Sequence, residues 1–221
     1  MSTIFTSSIG KKLLMSLAGG FLVIFLLVHM GINLLILIFD DPMVYNKAAH
    51  IMGTNVLIKV FEIVLFGGLL LHIIYALILQ IQNWIARPKR YVKTNYSNTS
   101  FFSKFMIHTA IITLVFLIIH FADFYFKAKF GHGKTMMFEG VVYHDFASEI
   151  EDKFKMLPFV IFYIAAFVFL GFHLVHGFQS AFKTLGLDNK RFTPVIQLLA
   201  ILYSVVVVGG YSLIPLMVYF S

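Results

Sequence analysis

The sequence predicts an all-α integral membrane protein, a five-helix transmembrane bundle with its N-terminus on the cytoplasmic side. Three observations predict it. Of the 221 residues, 60% are hydrophobic and 12% charged, where ordinary soluble chains are about 25% charged. The mean hydropathy is +0.90, more apolar surface than a soluble domain of this length can bury. The apolar residues gather into five runs, each long enough to meet the need of a spanning helix for about 20 residues. Residues 1–221 therefore read as a single membrane domain without a separate soluble part.

The first run covers 13–39. Lys11 and Lys12 precede it as they would a signal peptide, but it exceeds an h-region of about 7–15 residues and lacks a small-residue cleavage site. Asp40, Asp41 and Pro42 end it, and a polar loop is expected up to about Asn55. The second run, 56–84, closes with Trp84 at the interface and the basic group Arg87, Lys89, Arg90 and Lys93. The third run is 101–126. A loop rich in both charge signs is expected over 127–156, followed by the fourth run, 157–187. A short basic turn around Lys190 and Arg191 leads into the fifth, 194–220.

Five spans place the termini on opposite sides. Lys11, Lys12, the basic group within 87–104, Lys183, Lys190 and Arg191 share the N-terminal side. Asp40, Asp41, Glu139, Asp145, Glu149, Glu151 and Asp152 lie on the other. Positive residues mark the cytoplasmic face, so the N-terminus is expected inside and the loop 127–156 outside. This asymmetry accounts for the net charge of +7 without nucleic acid as a partner. The absence of cysteine excludes disulfides, thiolate ligation, iron–sulfur clusters held by this chain and covalent c-type haem.

The first four runs each carry one deep histidine: His29, His72, His120 and His173. Ionisable groups at that depth are costly and mark function by default. A rise of about 1.5 Å per residue places His29 about 24 Å from the start of its run and His120 about 22–28 Å from the start of its own. The second and fourth runs travel inward, with His72 about 18 Å and His173 about 15 Å short of their inner ends. The four thus sort into an outer pair, His29 with His120, and an inner pair, His72 with His173. One such histidine alone is an ordinary interhelical hydrogen-bonding contact. Four, one per helix at two matched heights, are what two haem b groups with imidazole on both faces of the iron would need. His176 stands one turn from His173 and is an alternative ligand; His173 is preferred because Gly177 follows it on the same face. His108 near a helix start, and His50, His132 and His144 in the outer loops, read as surface residues.

Two further features have open readings. Glu62 lies about 15 Å outward of His72; it is a candidate proton-exchanging acid at a quinone site, or a side chain that snorkels outward or pairs with Lys59. The helical glycines Gly19, Gly20, Gly67, Gly68, Gly171, Gly209 and Gly210 serve close helix packing or room for a porphyrin. Asp123 reads as interfacial. Lys12, Arg87 and Tyr91 fall near the inner pair, within reach of propionates.

On these residues, and chiefly on FHLVHGFQSAFKTLG at 172–186, the chain resembles the single-polypeptide, di-haem cytochrome b subunit of succinate:quinone oxidoreductases (succinate dehydrogenase or fumarate reductase) of Bacteroidetes-like bacteria. The resemblance covers essentially the whole chain. It implies that His29 with His120 hold the distal haem iron and His72 with His173 the proximal one. It implies a multi-pass protein of the bacterial cytoplasmic (inner) membrane that anchors a flavoprotein subunit and an iron–sulfur subunit on its cytoplasmic face. Electrons would pass between these partners and a membrane quinone, menaquinone by the resemblance, and the succinate site itself would lie outside this chain. Two other readings are the cytochrome b anchor of another respiratory dehydrogenase, and a small transporter using its histidines as a proton relay.

Overall fold

A computed structural model describes residues 7–85, 105–187 and 189–221. The five spans are Ile9–Ile38, Val56–Ile85, Met106–Phe130, Leu157–Thr184 and Thr193–Phe220, each long and apolar enough to cross a membrane. The protein is an all-α, multi-pass membrane bundle. All five expected runs are helical. The basic group from Arg87 to Lys104, Tyr91, and the expected start of the third run at 101–104 lie outside the described residues.

Helix α1 (Ser8–Ile38) starts at Ser7, whose hydroxyl accepts the Gly10 N–H. Helix α2 (Pro42–Thr54) replaces the expected polar loop. Its cause is local: the Asp41 carboxylate accepts the Met43 N–H at 2.9 Å, and Pro42 occupies the first turn, where its missing N–H costs nothing. The residues that stop α1 therefore also start α2. Helix α3 (Val56–Ile85) begins where Asn55 accepts the Leu57 N–H.

Helix α4 (Met106–His120) runs into a π-turn, Phe121–Tyr125, and a last short helix α5 (Phe126–Phe130) that ends at Gly131 with φ 71°. The span thus extends beyond the expected end at residue 126. The loop expected over 127–156 is also structured. Strands β1 (Thr135–Phe138) and β2 (Val141–His144) pair antiparallel. Glu139 and Gly140 both have positive φ in the two-residue turn between them, the backbone a tight hairpin needs. Helix α6 (Phe146–Phe154) follows, its first turn capped by Asp145 through the Ser148 N–H. Ala147, Ile150 and Phe154 are buried on one face. Helices α7 (Leu157–Thr184) and α8 (Thr193–Phe220) complete the chain.

Packing sets the order of the spans. Helix α1 packs against α3, α7 and α8, and α4 packs against α7. Around the bundle the helices therefore run α3, α1, α7, α4, with α8 outside α1 and α7. Among the described residues α3 does not pack along α4. The best-buried span is α7, with Val160, Tyr163, Ala166, Phe167, Leu170 and Leu174 in the core. Gly171 lets α8 approach closely: a Cβ there would meet Val208 Cγ2 at 2.6 Å, and the Ser204 hydroxyl donates to the Gly171 carbonyl at 2.8 Å. Helix α8 also holds α1, since Tyr203 donates to the Val23 carbonyl at 2.6 Å and Tyr211 to that of Leu26 at 2.9 Å. In apolar surroundings such bonds from side chain to backbone link helices without leaving a polar group unpaired.

At one end of the bundle α2, the hairpin and α6 form a cap. Its central residue is Asn46, 0% exposed. The Asn46 amide donates to Asp145 at 2.9 Å and its oxygen accepts the Ala147 N–H at 3.1 Å. Lys134 pairs with Asp152, and Lys153 binds Asp123 at 2.7 Å, fixing α6 to the π-turn after α4. Burial pushes the Asp145 carboxyl up, but bonds from Ser148 and Asn46 and the charge of Lys134 outweigh it and hold the group below its usual range. A depressed carboxyl stabilises above its unfolded pKa, about 4, and that contribution is lost as pH falls through the lower folded value.

Two outcomes follow for the cap. Protection of the amides across residues 131–156 against hydrogen exchange, taken relative to the intrinsic rate at each pH, should be high at neutral pH and fall below about pH 4. Asn46→Ala, which unpairs Asp145 and the Ala147 N–H, should cost about 1–3 kcal/mol and open the same segment to limited proteolysis at neutral pH.

Candidate functional site: two facing histidine pairs

His29 on α1 faces His120 at the end of α4. Their ring centres are 5.9 Å apart and the planes stand at 80°. His72 on α3 faces His173 on α7, with ring centres 6.2 Å apart at 70°. The pairing matches the one read from depth along the helices. Each pair joins helices that, among the described residues, have no extensive packing on each other: α1 and α4 stand across the bundle, as do α3 and α7. The imidazoles thus reach toward each other across the two diagonals of a four-helix arrangement.

The spacing tests whether a metal fits. An imidazole bound through nitrogen at about 2 Å holds its ring centre about 3 Å from the metal, so two on opposite faces have centres about 6 Å apart. The observed 5.9 and 6.2 Å meet that requirement. The donor set also fits, since imidazole on both faces is a haem ligation mode. Nδ1 of His72, His120 and His173 is buried without a hydrogen-bond partner, and the Met15 backbone lies within reach of the His72 ring. Unpaired buried polar atoms are rare in folded proteins and each needs a cause, of which a bound group is one.

The two sites differ in their surroundings. At the capped end each ligand candidate is stacked on the phenylalanine four residues before it. Phe25 lies 5.2 Å from His29 at 17° and Phe116 5.6 Å from His120 at 22°. This is the i, i+4 neighbour relation of a helix face. Tyr211 adds a ring at 6.0 Å from His29, and Tyr163 one at 6.4 Å from His120. At the other pair the residue four before His72 is Gly68 and the one four before His173 is Phe169, and Gly19 of α1 sits where a Cβ would be 3.5 Å from the His72 ring. Gly171 serves contact with α8, whereas nothing lies within 4 Å of a Cβ placed on Gly177. His176 is half-buried beside this pair and, among the described residues, has no facing ring.

Glu62 lies on α3 toward the capped end, its side chain 22% exposed. Its partner is not Lys59. Its carboxylate accepts a short hydrogen bond from Tyr125 and an ion pair from Lys129 at 2.7 Å. Tyr125 closes the π-turn, and π-turns are frequent at functional sites. Phe66 packs against both Tyr125 at 4.9 Å and Phe121 at 5.4 Å. The result is an acid, a phenol and an ammonium beside an aromatic shelf, at the seam where α3 and α4 do not pack.

Other assignments change with the structure in view. Asp123, read as interfacial, also has partners: it binds Lys153 and accepts from Tyr163 at 3.1 Å. His144, read as solvated, is 16% exposed and 3.3 Å from Glu149. His108 and His132 are exposed as expected, and His50 lies against Tyr143. Sequence reasoning missed Asn33, Tyr45, Tyr125 and Lys129. A signal existed for Asn33, an amide four residues after His29 in an apolar run. None existed for the others, whose roles depend on contacts between distant segments. No protein-family model, curated protein or solved structure matches the chain.

The close approach that backs His173 gives a test. Gly171→Ala places a methyl against Val208, a branched and stiff side chain, and should lower bundle stability by about 1–3 kcal/mol in detergent. Gly20→Ala, where nothing lies within 4 Å, should leave the melting temperature unchanged.

Proposed function

We propose that the chain is the membrane cytochrome b subunit of a succinate:quinone oxidoreductase or quinol:fumarate reductase. The observation that carries this reading is the opposition of two histidine pairs at 5.9 and 6.2 Å, each across one diagonal of the bundle. His29 with His120, and His72 with His173, would hold one haem b each. Haem held by imidazole on both faces has no open position for a further ligand and supplies one-electron transfer.

The chain's own residues supply the rest. The phenylalanines stacked on His29 and His120 fix ring orientation and keep water from the capped-end site. Glu62 is placed to exchange protons with a quinone headgroup, Tyr125 and Lys129 hold its carboxylate in position, and Phe66 and Phe121 offer a flat surface for the ring. The seam between α3 and α4 gives such a molecule a way in from the bilayer. The basic ends near Lys11, Lys12 and Lys183 suit docking of the flavoprotein and iron–sulfur partners at the uncapped, cytoplasmic end. By the resemblance, the membrane is the bacterial cytoplasmic one and the quinone menaquinone. The active site for succinate belongs to the partners.

A reduced-minus-oxidised spectrum of the purified chain should show two haem b groups per polypeptide; a colourless, fully folded protein would overturn the proposal. Replacing any one of His29, His72, His120 or His173 with Ala should remove one group, and His176→Ala should remove neither. In the assembled complex Glu62→Gln should retain both haems and slow quinone turnover about a hundredfold, within the range of a lost general acid or base.

A further inference from the structure

Among the described residues, His29 is the one of the four facing histidines with a side-chain amide against its ring. Asn33 stands four residues on, on the same face of α1. Its Nδ2 donates to the His29 carbonyl at 2.7 Å and lies 3.4 and 3.5 Å from the two ring nitrogens. Its Oδ1 accepts the hydroxyl of Tyr45 at 3.0 Å. Tyr45 belongs to α2 in the cap and is 5% exposed. Chemistry fixes which way the amide points. A backbone carbonyl only accepts, so the atom beside it must be the NH2 group, and the oxygen is left for the tyrosine hydroxyl. The second N–H is then free to point at the imidazole.

We infer that Asn33 is a positioning residue for His29, clamped by Tyr45, and that it raises the tendency of the capped-end site to accept an electron. This rests on the haem reading above. The positive end of the amide dipole against the ring draws electron density from the ligand and favours the reduced metal. Partners of a ligating histidine commonly tune both its orientation and the metal it holds. The other pair has no such amide among the described residues, so the device would set the two sites apart. It also ties the electron affinity of the capped-end site to the seating of α2, because Tyr45 has a second role in the buried core of the cap.

The test uses full-length chain in its membrane complex. Paramagnetic resonance and redox titration follow each haem separately, with the capped-end signal identified as the one lost in His120→Ala. Asn33→Leu should shift the ferric-to-ferrous ratio of that haem roughly threefold to tenfold toward ferric at fixed potential and move its resonance, with the other haem unchanged. Asn33→Asp, which keeps the Tyr45 bond but presents negative charge, should shift it further in the same direction. Tyr45→Phe should give a smaller shift of the same sign and decides the matter if Asn33→Leu loses the haem. Unchanged potentials in both Asn33→Asp and Tyr45→Phe, or equal shifts of both haems, would overturn the inference while leaving the two-haem reading intact. A wild-type chain without haem overturns that reading and this one with it.

Discussion

Every part of this bundle answers to one constraint: an imidazole in hydrocarbon must have something to bind. Four such rings sit on four spans, and they meet in two couples with centres 5.9 and 6.2 Å apart. That separation is too long for a direct hydrogen bond between most ring atoms and suits one atom held between them. For it to persist, the helices on each diagonal must be kept apart while their neighbours are held together. The close contacts lie on the edges of the arrangement. Gly171 against Val208 and Ser204, and the Tyr203 and Tyr211 hydroxyls on α1 carbonyls, bind α7, α8 and α1 into one rigid wall. The histidines then project from that wall and from the two helices beside it.

The cap has a related logic. Its polar residues are bonded to one another: Asn46 to Asp145 and Ala147, Asp123 to Lys153 and Tyr163. A partly buried ion pair such as Asp123–Lys153 adds little net stability, because desolvation offsets most of the attraction. Its value lies in geometry. It fixes α6 against the π-turn and holds Tyr163 beside His120, so the end of α4 cannot drift from the wall.

The membrane class, the spans and the histidine couples were legible in the sequence because they depend on one-dimensional quantities, run length and distance along a helix. His29, His72, His120 and His173 could be sorted by height without any knowledge of packing. What was not legible depends on three dimensions or on signals with two meanings. Asp41–Pro42 ends one helix and starts another, so α2 was read as loop. The hairpin and α6 are short and charged, and their burial becomes visible only when Asn46 meets Asp145. Glu62 stood out as costly, but its partner Lys129 is 67 positions away in the chain. The π-turn that carries Tyr125 leaves no mark in composition.

Helix α3 has one further consequence. None of its 30 residues is buried; it leans on α1 along one flank, and on the other it meets the α4 span through the Glu62 cluster and Phe66. It is held broadly along the α1 side and by a few side chains on the α4 side. On the proposed reading, this seam is where a greasy visitor would reach the Glu62 cluster sideways, from among the lipid tails, without ever touching water.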